Sequence, residues 1–68
     1  MNLSPKYLIR ILEAHGFFHK RTKGSHQLYF NADTNKTAIV PVHGGRDMKK
    51  GTFLGILKQA GINKNDLV

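Results

Sequence analysis

The chain has no cysteine and only four acidic residues among its 68. Without cysteine it can form neither a disulfide framework nor a thiolate metal site. The carboxylates stand at separate points of the chain, at Glu13, Asp33, Asp47 and Asp66. No pair has the spacing of a carboxylate cluster that holds catalytic metal ions, and the histidines lack a zinc-ligand pattern. We therefore predict no metal site and no cofactor.

Long apolar runs are also missing from the sequence. No stretch has the length that spans a membrane, and the N-terminal residues lack the basic-then-apolar pattern of a secretion signal. We expect a cytoplasmic protein without a membrane partner. A chain of 68 residues is expected to form a single domain, residues 1–68, with a thin core.

Positive charge is what the chain has in excess. Eleven Lys and Arg residues against four Asp and Glu give a net charge of +7 and a sequence pI of about 10.2. Such a balance favours a polyanionic partner, first nucleic acid and second an anionic membrane or an acidic protein. The hydrophobic fraction of 40% is too high for a disordered basic tail. The sequence therefore predicts a folded domain with a basic surface.

The N-terminal segment has the signals of a helix. Ser4 followed by Pro5 is typical of an N-cap and a first helical residue. Apolar residues then recur at helical spacing until Gly16, which is typical of a left-handed helix end. We predict the first helix over residues 5–15.

A second helix is predicted over residues 50–60, and Gly61 ends it in the same way. Gly55 inside this helix costs about 1 kcal/mol relative to alanine, a cost that close packing on a sheet would explain. A short capped turn is predicted over residues 63–67.

The segment between the helices has the pattern of three strands. Strands are predicted over residues 17–21, 26–30 and 37–42, with a turn at 22–24 and a polar hairpin loop at 31–35. A proline near the end of the third strand favours an edge position. The predicted fold class is α+β, a two-layer α-β-β-β-α arrangement in which a three-stranded antiparallel sheet carries both helices on one face.

Several short motifs together resemble one known family. They are Gly24-Ser25-His26 followed by Tyr29, Val40-Pro41-Val42-His43, and Lys50-Gly51-Thr52 with Ile56-Leu57 and Ala60-Gly61. From the first helix to Ile62 the chain resembles the HicA toxins of type II toxin–antitoxin systems. The resemblance implies a fold like that of double-stranded RNA-binding domains, an endoribonuclease that cleaves mRNA, and inhibition by a HicB-type antitoxin. It also implies that His26 is the catalytic residue.

The chemistry of RNA cleavage agrees with a histidine. Without a metal, the RNA 2′-hydroxyl serves as nucleophile, so the site needs a group that titrates near neutral pH and cations that stabilise the phosphorane. The residues alone leave four histidines open, and the resemblance selects His26. His43 either assists by hydrogen bonding or only caps the loop after the third strand.

Strand alternation raises a difficulty for His26. It shares a strand face with Leu28 and Phe30, so an exposed catalyst requires a bulge or a position at the open end of the strand. Tyr29 then points to the other face, where it either stacks on a base or belongs to the core.

The expected RNA-binding residues form two cationic clusters. They are Lys20, Arg21 and Lys23 around the first turn, with Ser25 as a further RNA-binding residue there, and Arg46, Lys49 and Lys50 before the second helix. The start of that helix adds free N–H groups and a positive dipole end. An RNA backbone held between the clusters explains them, and so do solvated side chains that keep a small protein soluble.

Two other classes of function stay open at this point. A non-catalytic double-stranded-RNA-binding module would need the same charges but no titrating residue at position 26. A protein-interaction subunit would dock its basic face on an acidic partner, as a toxin docks on its antitoxin. For the toxin we expect the antitoxin to cover His26 or the basic face.

Overall fold

A computed structural model describes residues 1–66. They form two helices and a three-stranded antiparallel sheet in the order α-β-β-β-α, so the predicted α+β class is confirmed. The elements are α1 (Pro5–Ala14), β1 (Phe18–Lys23), β2 (His26–Asn31), β3 (Lys36–Pro41) and α2 (Lys50–Gln59). A 3₁₀ turn follows at Lys64–Asp66, and the end of the predicted 63–67 turn lies outside the described residues. No helix within residues 1–66 is both long and apolar enough to cross a membrane.

Helix α1 begins and ends as its sequence predicts. The Tyr7 backbone N–H donates to Ser4 Oγ at 3.1 Å, which satisfies one of the free N–H groups of the first turn. Gly16 has a φ of +90°. The N–H of Phe17 donates back to the carbonyl of Leu12 at 2.9 Å, and this bond closes the helix end.

Helix α2 ends in the same way, but its internal glycine does not pack on the sheet as predicted. Gly61 has a φ of +73°, and the Ile62 N–H donates to the Leu57 carbonyl at 2.9 Å. A Cβ at Gly55, however, would meet no neighbouring atom within 4 Å. The explanation by close packing on the sheet is therefore wrong, because Gly55 lies on the exposed side of the helix.

The first hairpin is tighter than predicted. Strand β1 continues through Thr22 and Lys23, which the sequence pattern assigns to the turn, and Lys23 pairs directly with His26. Gly24 has a φ of +58° and is the first of the two connecting residues, the position of glycine in type II′ hairpins. A two-residue connection leaves no room for a longer turn.

Strand β2 is central, and β3 is an edge strand as its proline predicts. The β2–β3 connection spans residues 32–35, with Asn35 at a φ of +58°. His26 faces Pro41 at one end of this pair, and Asn31 faces Lys36 at the other end.

Both helices cover one face of the sheet. The buried side chains of that face are Tyr29, Ala38 and Val40, and they pack with helix residues that include Leu8, Leu12, Phe53 and Leu57. Leu28 and Phe30 alternate with Tyr29 and therefore lie on the opposite face, where they are only half-buried. We call this opposite face, with its residues Phe18, Lys20, Arg21, Lys23, His26, Leu28, Phe30 and Ile39, the open face.

Candidate functional site

His26 is the first residue of β2 and is exposed. It lies beside Lys23 of β1 and Pro41 of β3, one residue after the hairpin turn. The face that it shares with Leu28 and Phe30 is the open face. The difficulty raised by strand alternation therefore disappears, because these two apolar residues do not belong to the core.

His26 shares a hollow with two cations. Arg21, Lys23, Leu28 and Ile39 line it together with the imidazole, and its volume is about 160 Å³. The cations supply positive charge for a phosphate, and a histidine supplies a proton acceptor and donor near neutral pH. The rest of the hollow is apolar. This arrangement can hold a phosphodiester next to a group that transfers protons.

An irregularity in β1 places a third cation on the open face. The register of β1 against β2 shifts between His19 and Arg21, so Lys20 is the extra residue of a bulge. The Lys20 ammonium lies 4.8 Å from the centre of the Phe30 ring. The first cationic cluster thus lies along strand β1, and its last member, Lys23, directly precedes the turn.

The second cationic cluster is only partly brought together. His43, Arg46 and Lys49 line a hollow of about 290 Å³ beside the start of α2. Pro41 lines this hollow too and pairs with His26, so the two hollows adjoin across the end of β3. His43 therefore lies near the predicted catalytic residue but not in the same hollow.

Lys50 and Ser25 lie outside these two hollows. Lys50 lines a separate hollow with Tyr7 and Leu54, so it does not join Lys49 in one phosphate grip. The Ser25 carbonyl accepts the Val42 N–H at 2.7 Å. Through this backbone bond Ser25 holds the turn before His26 against the end of β3.

Tyr29 belongs to the core, where only 4% of it is exposed. Its hydroxyl donates to Gln27 Oε1 at 3.0 Å. Burial raises the pKa of the phenol above its ordinary value, and the charge of Glu13 adds to this rise. Of the two alternatives for Tyr29, the structure supports the core position, and the buried ring is not accessible for base stacking.

Exposed apolar residues of the open face were not among the predicted site residues. Phe18 is 49% exposed and Ile39 is 48% exposed. The Phe18 and Phe30 rings meet edge to face with 5.9 Å between centroids. The alternation of Thr37, Ala38, Ile39 and Val40 was the available signal, because it puts Ile39 on the face opposite to Ala38 and Val40.

The described residues contain no group of side chains suited to hold a metal ion. Within residues 1–66 no three His, Asp or Glu residues are grouped so that they could hold a metal ion. The polar chemistry near His26 comes from Arg21 and Lys23.

Comparison with known protein families gives a match over most of the chain. The family described as "HicA toxin of bacterial toxin-antitoxin" has a model that matches residues 5–62. The matched span begins with α1 and ends three residues after α2, so it contains His26, both cationic clusters and the open face. No curated protein matches the chain.

Proposed function

The chain belongs to the HicA toxin family of bacterial toxin–antitoxin systems, and on that premise we propose that it is a metal-independent endoribonuclease that cleaves mRNA in the cytoplasm. His26 is the proposed catalytic residue, and a HicB-type protein is the proposed antitoxin. The observation that carries the proposal is the position of exposed His26 in one hollow with Arg21 and Lys23.

In the proposed reaction, His26 accepts the proton of an RNA 2′-hydroxyl. The 2′-oxygen attacks the adjacent phosphorus, and the bond to the 5′-oxygen of the next nucleotide breaks. A 2′,3′-cyclic phosphate forms, and the leaving 5′-oxygen takes a proton from the imidazolium or from water. Arg21 and Lys23 stabilise the negative charge that develops on the phosphate oxygens. Every group in this scheme belongs to the RNA, the protein or water.

The decisive variant is His26→Ala. Purified wild-type protein is expected to cut RNA in the presence of EDTA, and the variant is expected to lose this activity because nothing else in its hollow transfers protons near neutral pH. Because His26 is exposed, the free energy of unfolding of the His26→Ala protein should differ from that of the wild type by no more than about 0.5 kcal/mol. Gel analysis of RNA and circular dichroism measure both effects.

His19→Ala is the matched control for this experiment. His19 is another exposed histidine of the same hairpin, and its ring packs toward Tyr29 on the other side of the sheet. The His19→Ala protein should cut RNA at close to the wild-type rate. Cutting by His26→Ala at the wild-type rate, or a requirement of the wild type for a divalent metal, would contradict the proposal. His43→Ala tests whether the neighbouring hollow assists.

A second candidate is a non-catalytic double-stranded-RNA-binding module. The placement of cations at the first hairpin and at the start of α2 favours it, because such modules contact RNA backbones through comparable elements. This candidate predicts salt-sensitive RNA binding, no cleavage by the wild type, and no special effect of His26→Ala.

Membership in a toxin–antitoxin family implies that this toxin has an antitoxin partner. We propose that the antitoxin is of the HicB type, presents acidic groups, and covers His26 or the cations of the open face. Charge complementarity then sets fast association and occlusion blocks RNA. Titration of the toxin with a purified HicB-type protein should stop cleavage. A complex that leaves both surfaces accessible would contradict this mode of inhibition.

A further inference from the structure

The open face carries an apolar strip that the proposed proton transfer does not use. The strip consists of Phe18, Leu28, Phe30 and Ile39, and half of Phe18 and half of Ile39 are exposed. Exposed apolar groups that lie next to one another on a small protein mark a binding surface more often than isolated ones do. A thin core gains from burying such residues, so their exposure requires an explanation.

The strip extends from the His26 hollow in an ordered series of rows. Cross-strand pairing defines three rows: Lys23, His26 and Pro41; then Arg21, Leu28 and Ile39; then Phe18, Phe30 and Thr37. Successive rows are two residues apart along a strand, which is about 7 Å. A chain molecule that presents its phosphate to His26 therefore places its neighbouring units over the apolar and aromatic rows.

Charge identifies the class of that molecule. Lys20, Arg21 and Lys23 lie on the open face, and none of the strand residues Phe18–Lys23, His26–Asn31 and Lys36–Pro41 is acidic. Cations that alternate with apolar and aromatic surface fit a polymer with anionic links and flat apolar units. Single-stranded RNA has this composition, whereas a duplex hides the faces of its bases in the stack.

We propose that the open face is a base-binding subsite for single-stranded RNA. One base beside the scissile phosphate enters the hollow between Leu28 and Ile39, and the next base packs on Phe18. The inference deepens the proposed ribonuclease function and rests on it, because the position of His26 sets the direction of the RNA. Apolar contacts tolerate every base, so the subsite selects unpaired RNA and not a particular sequence.

The test measures binding in the His26→Ala protein, which does not consume its RNA. Fluorescence anisotropy compares a labelled single-stranded oligoribonucleotide with a blunt duplex of the same length and with a single strand that has abasic sites. Adding Phe18→Thr should weaken binding of the normal single strand by about 5- to 100-fold, the range for loss of one base–aromatic stacking contact. Adding Ile39→Thr should weaken it in the same direction, because apolar surface beside the base is lost. Binding of the duplex and of the abasic strand should change little.

Two control variants separate base contact from loss of structure. Phe18→Tyr keeps the ring and should keep the affinity for single strands. Ile9→Thr removes apolar surface from α1, on the far side of the sheet, and should leave RNA binding unchanged. Thermal unfolding of each variant checks that it is folded. Thr is itself a good strand former, so Ile39→Thr suits an exposed strand position.

The outcomes are distinguishable. Unchanged single-strand binding in both the Ile39→Thr and the Phe18→Thr variants would overturn the proposed subsite. A His26→Ala protein that binds the duplex as tightly as the single strand would overturn it as well. Variants that lose affinity for the antitoxin but not for RNA overturn it as well and make the strip a protein-docking surface. A wild type that never cleaves RNA removes the proposed function, yet the binding comparison still decides the subsite.

Discussion

Asn31 joins two parts of the chain that are sixteen residues apart. Its Nδ2 donates to the His15 carbonyl at 2.9 Å, and its Oδ1 accepts the N–H groups of Asp33 at 2.9 Å and Thr34 at 3.3 Å. It is buried, with 4% exposed. Because buried groups that lose their partners cost about 1–3 kcal/mol, Asn31→Ala should lower the free energy of unfolding by about 2–3 kcal/mol.

Urea denaturation measures this loss, and Asn63→Ala is its control. Asn63 Oδ1 accepts the Asn65 N–H at 2.9 Å in a comparable local turn that is exposed. Its substitution should change the free energy of unfolding by no more than about 0.5 kcal/mol. Similar losses in the two variants would mean that the link from Asn31 to the end of α1 contributes little.

Loss of the Tyr29 phenolic proton should lower the free energy of unfolding at alkaline pH. Burial raises its pKa above the ordinary 10.0, so the folded chain holds the phenolic proton more tightly than the unfolded chain does. The contribution to stability is complete below pH 10 and is lost as the pH rises through the folded-state pKa. Tyr29→Phe should therefore lose less stability above pH 10 than the wild type.

The measurement is the urea midpoint of both proteins at neutral pH and at a series of pH values above the phenol's ordinary range. At neutral pH the variant should be less stable by about 1 kcal/mol, because the bond to Gln27 is lost. Parallel curves throughout the alkaline range would show that Tyr29 does not carry this dependence.

The sequence identified His26 as the first residue of a strand but did not reveal which face it occupies. Apolar residues occur on both faces of β2, as Leu28 and Phe30 on one and Tyr29 on the other. Alternation therefore does not select the buried side. The choice is made by β3 and the helices, because Ala38 and Val40 are the side chains that leave room for helix packing.

At the level of elements, α2 contains a glycine whose substitution should raise the free energy of unfolding. A Cβ at Gly55 would meet no atom within 4 Å, and interior glycine costs a helix about 1 kcal/mol relative to alanine. Gly55→Ala should raise the free energy of unfolding by about 0.5–1 kcal/mol, as thermal or urea unfolding will measure.

Gly61→Ala, two residues after the end of the same helix, is the opposing control. Gly61 has a φ of +73°, and a Cβ there would approach the Lys36 side chain to 3.2 Å. This substitution should destabilise the protein, because alanine rarely adopts that backbone conformation. If Gly55→Ala also destabilises the protein, an interaction at the exposed side of α2 within the folded chain must account for it.

Helices were easier to predict than strands in this chain. Capping residues fixed the start of α1 and the ends of both helices, since Ser4, Gly16 and Gly61 each satisfy a specific backbone requirement. Strand β1 has six exposed residues and hence no buried period. Turn-forming residues alone therefore indicate its end and assign Thr22 and Lys23 to the turn. Pairing with β2 instead includes both residues in the strand and shortens the turn to Gly24 and Ser25.

At the scale of the whole molecule, composition alone predicted a basic, folded domain, and element order predicted its two layers. Composition gave no view of how the charges are distributed. The bulge at Lys20 and the short hairpin decide that β1 presents its cations on the open face. The separation of Lys50 from Lys49 follows in the same way from the packing of α2 against the N-terminal segment.

The charge distribution predicts how RNA binding responds to salt. Each cation that neutralises a phosphate releases counterions, so the logarithm of the binding constant falls with the logarithm of salt concentration by about 0.7 per contact for single strands. Lys23 lines the His26 hollow. Lys23→Gln in the His26→Ala background should therefore reduce this slope by about 0.7. Lys58 lies in the last turn of α2, near Gly61 and the Lys36 end of β3, so Lys58→Gln removes the same charge far from His26. Equal slopes in the two variants would mean that RNA responds to the net charge of +7 as a whole and is not held at the open face.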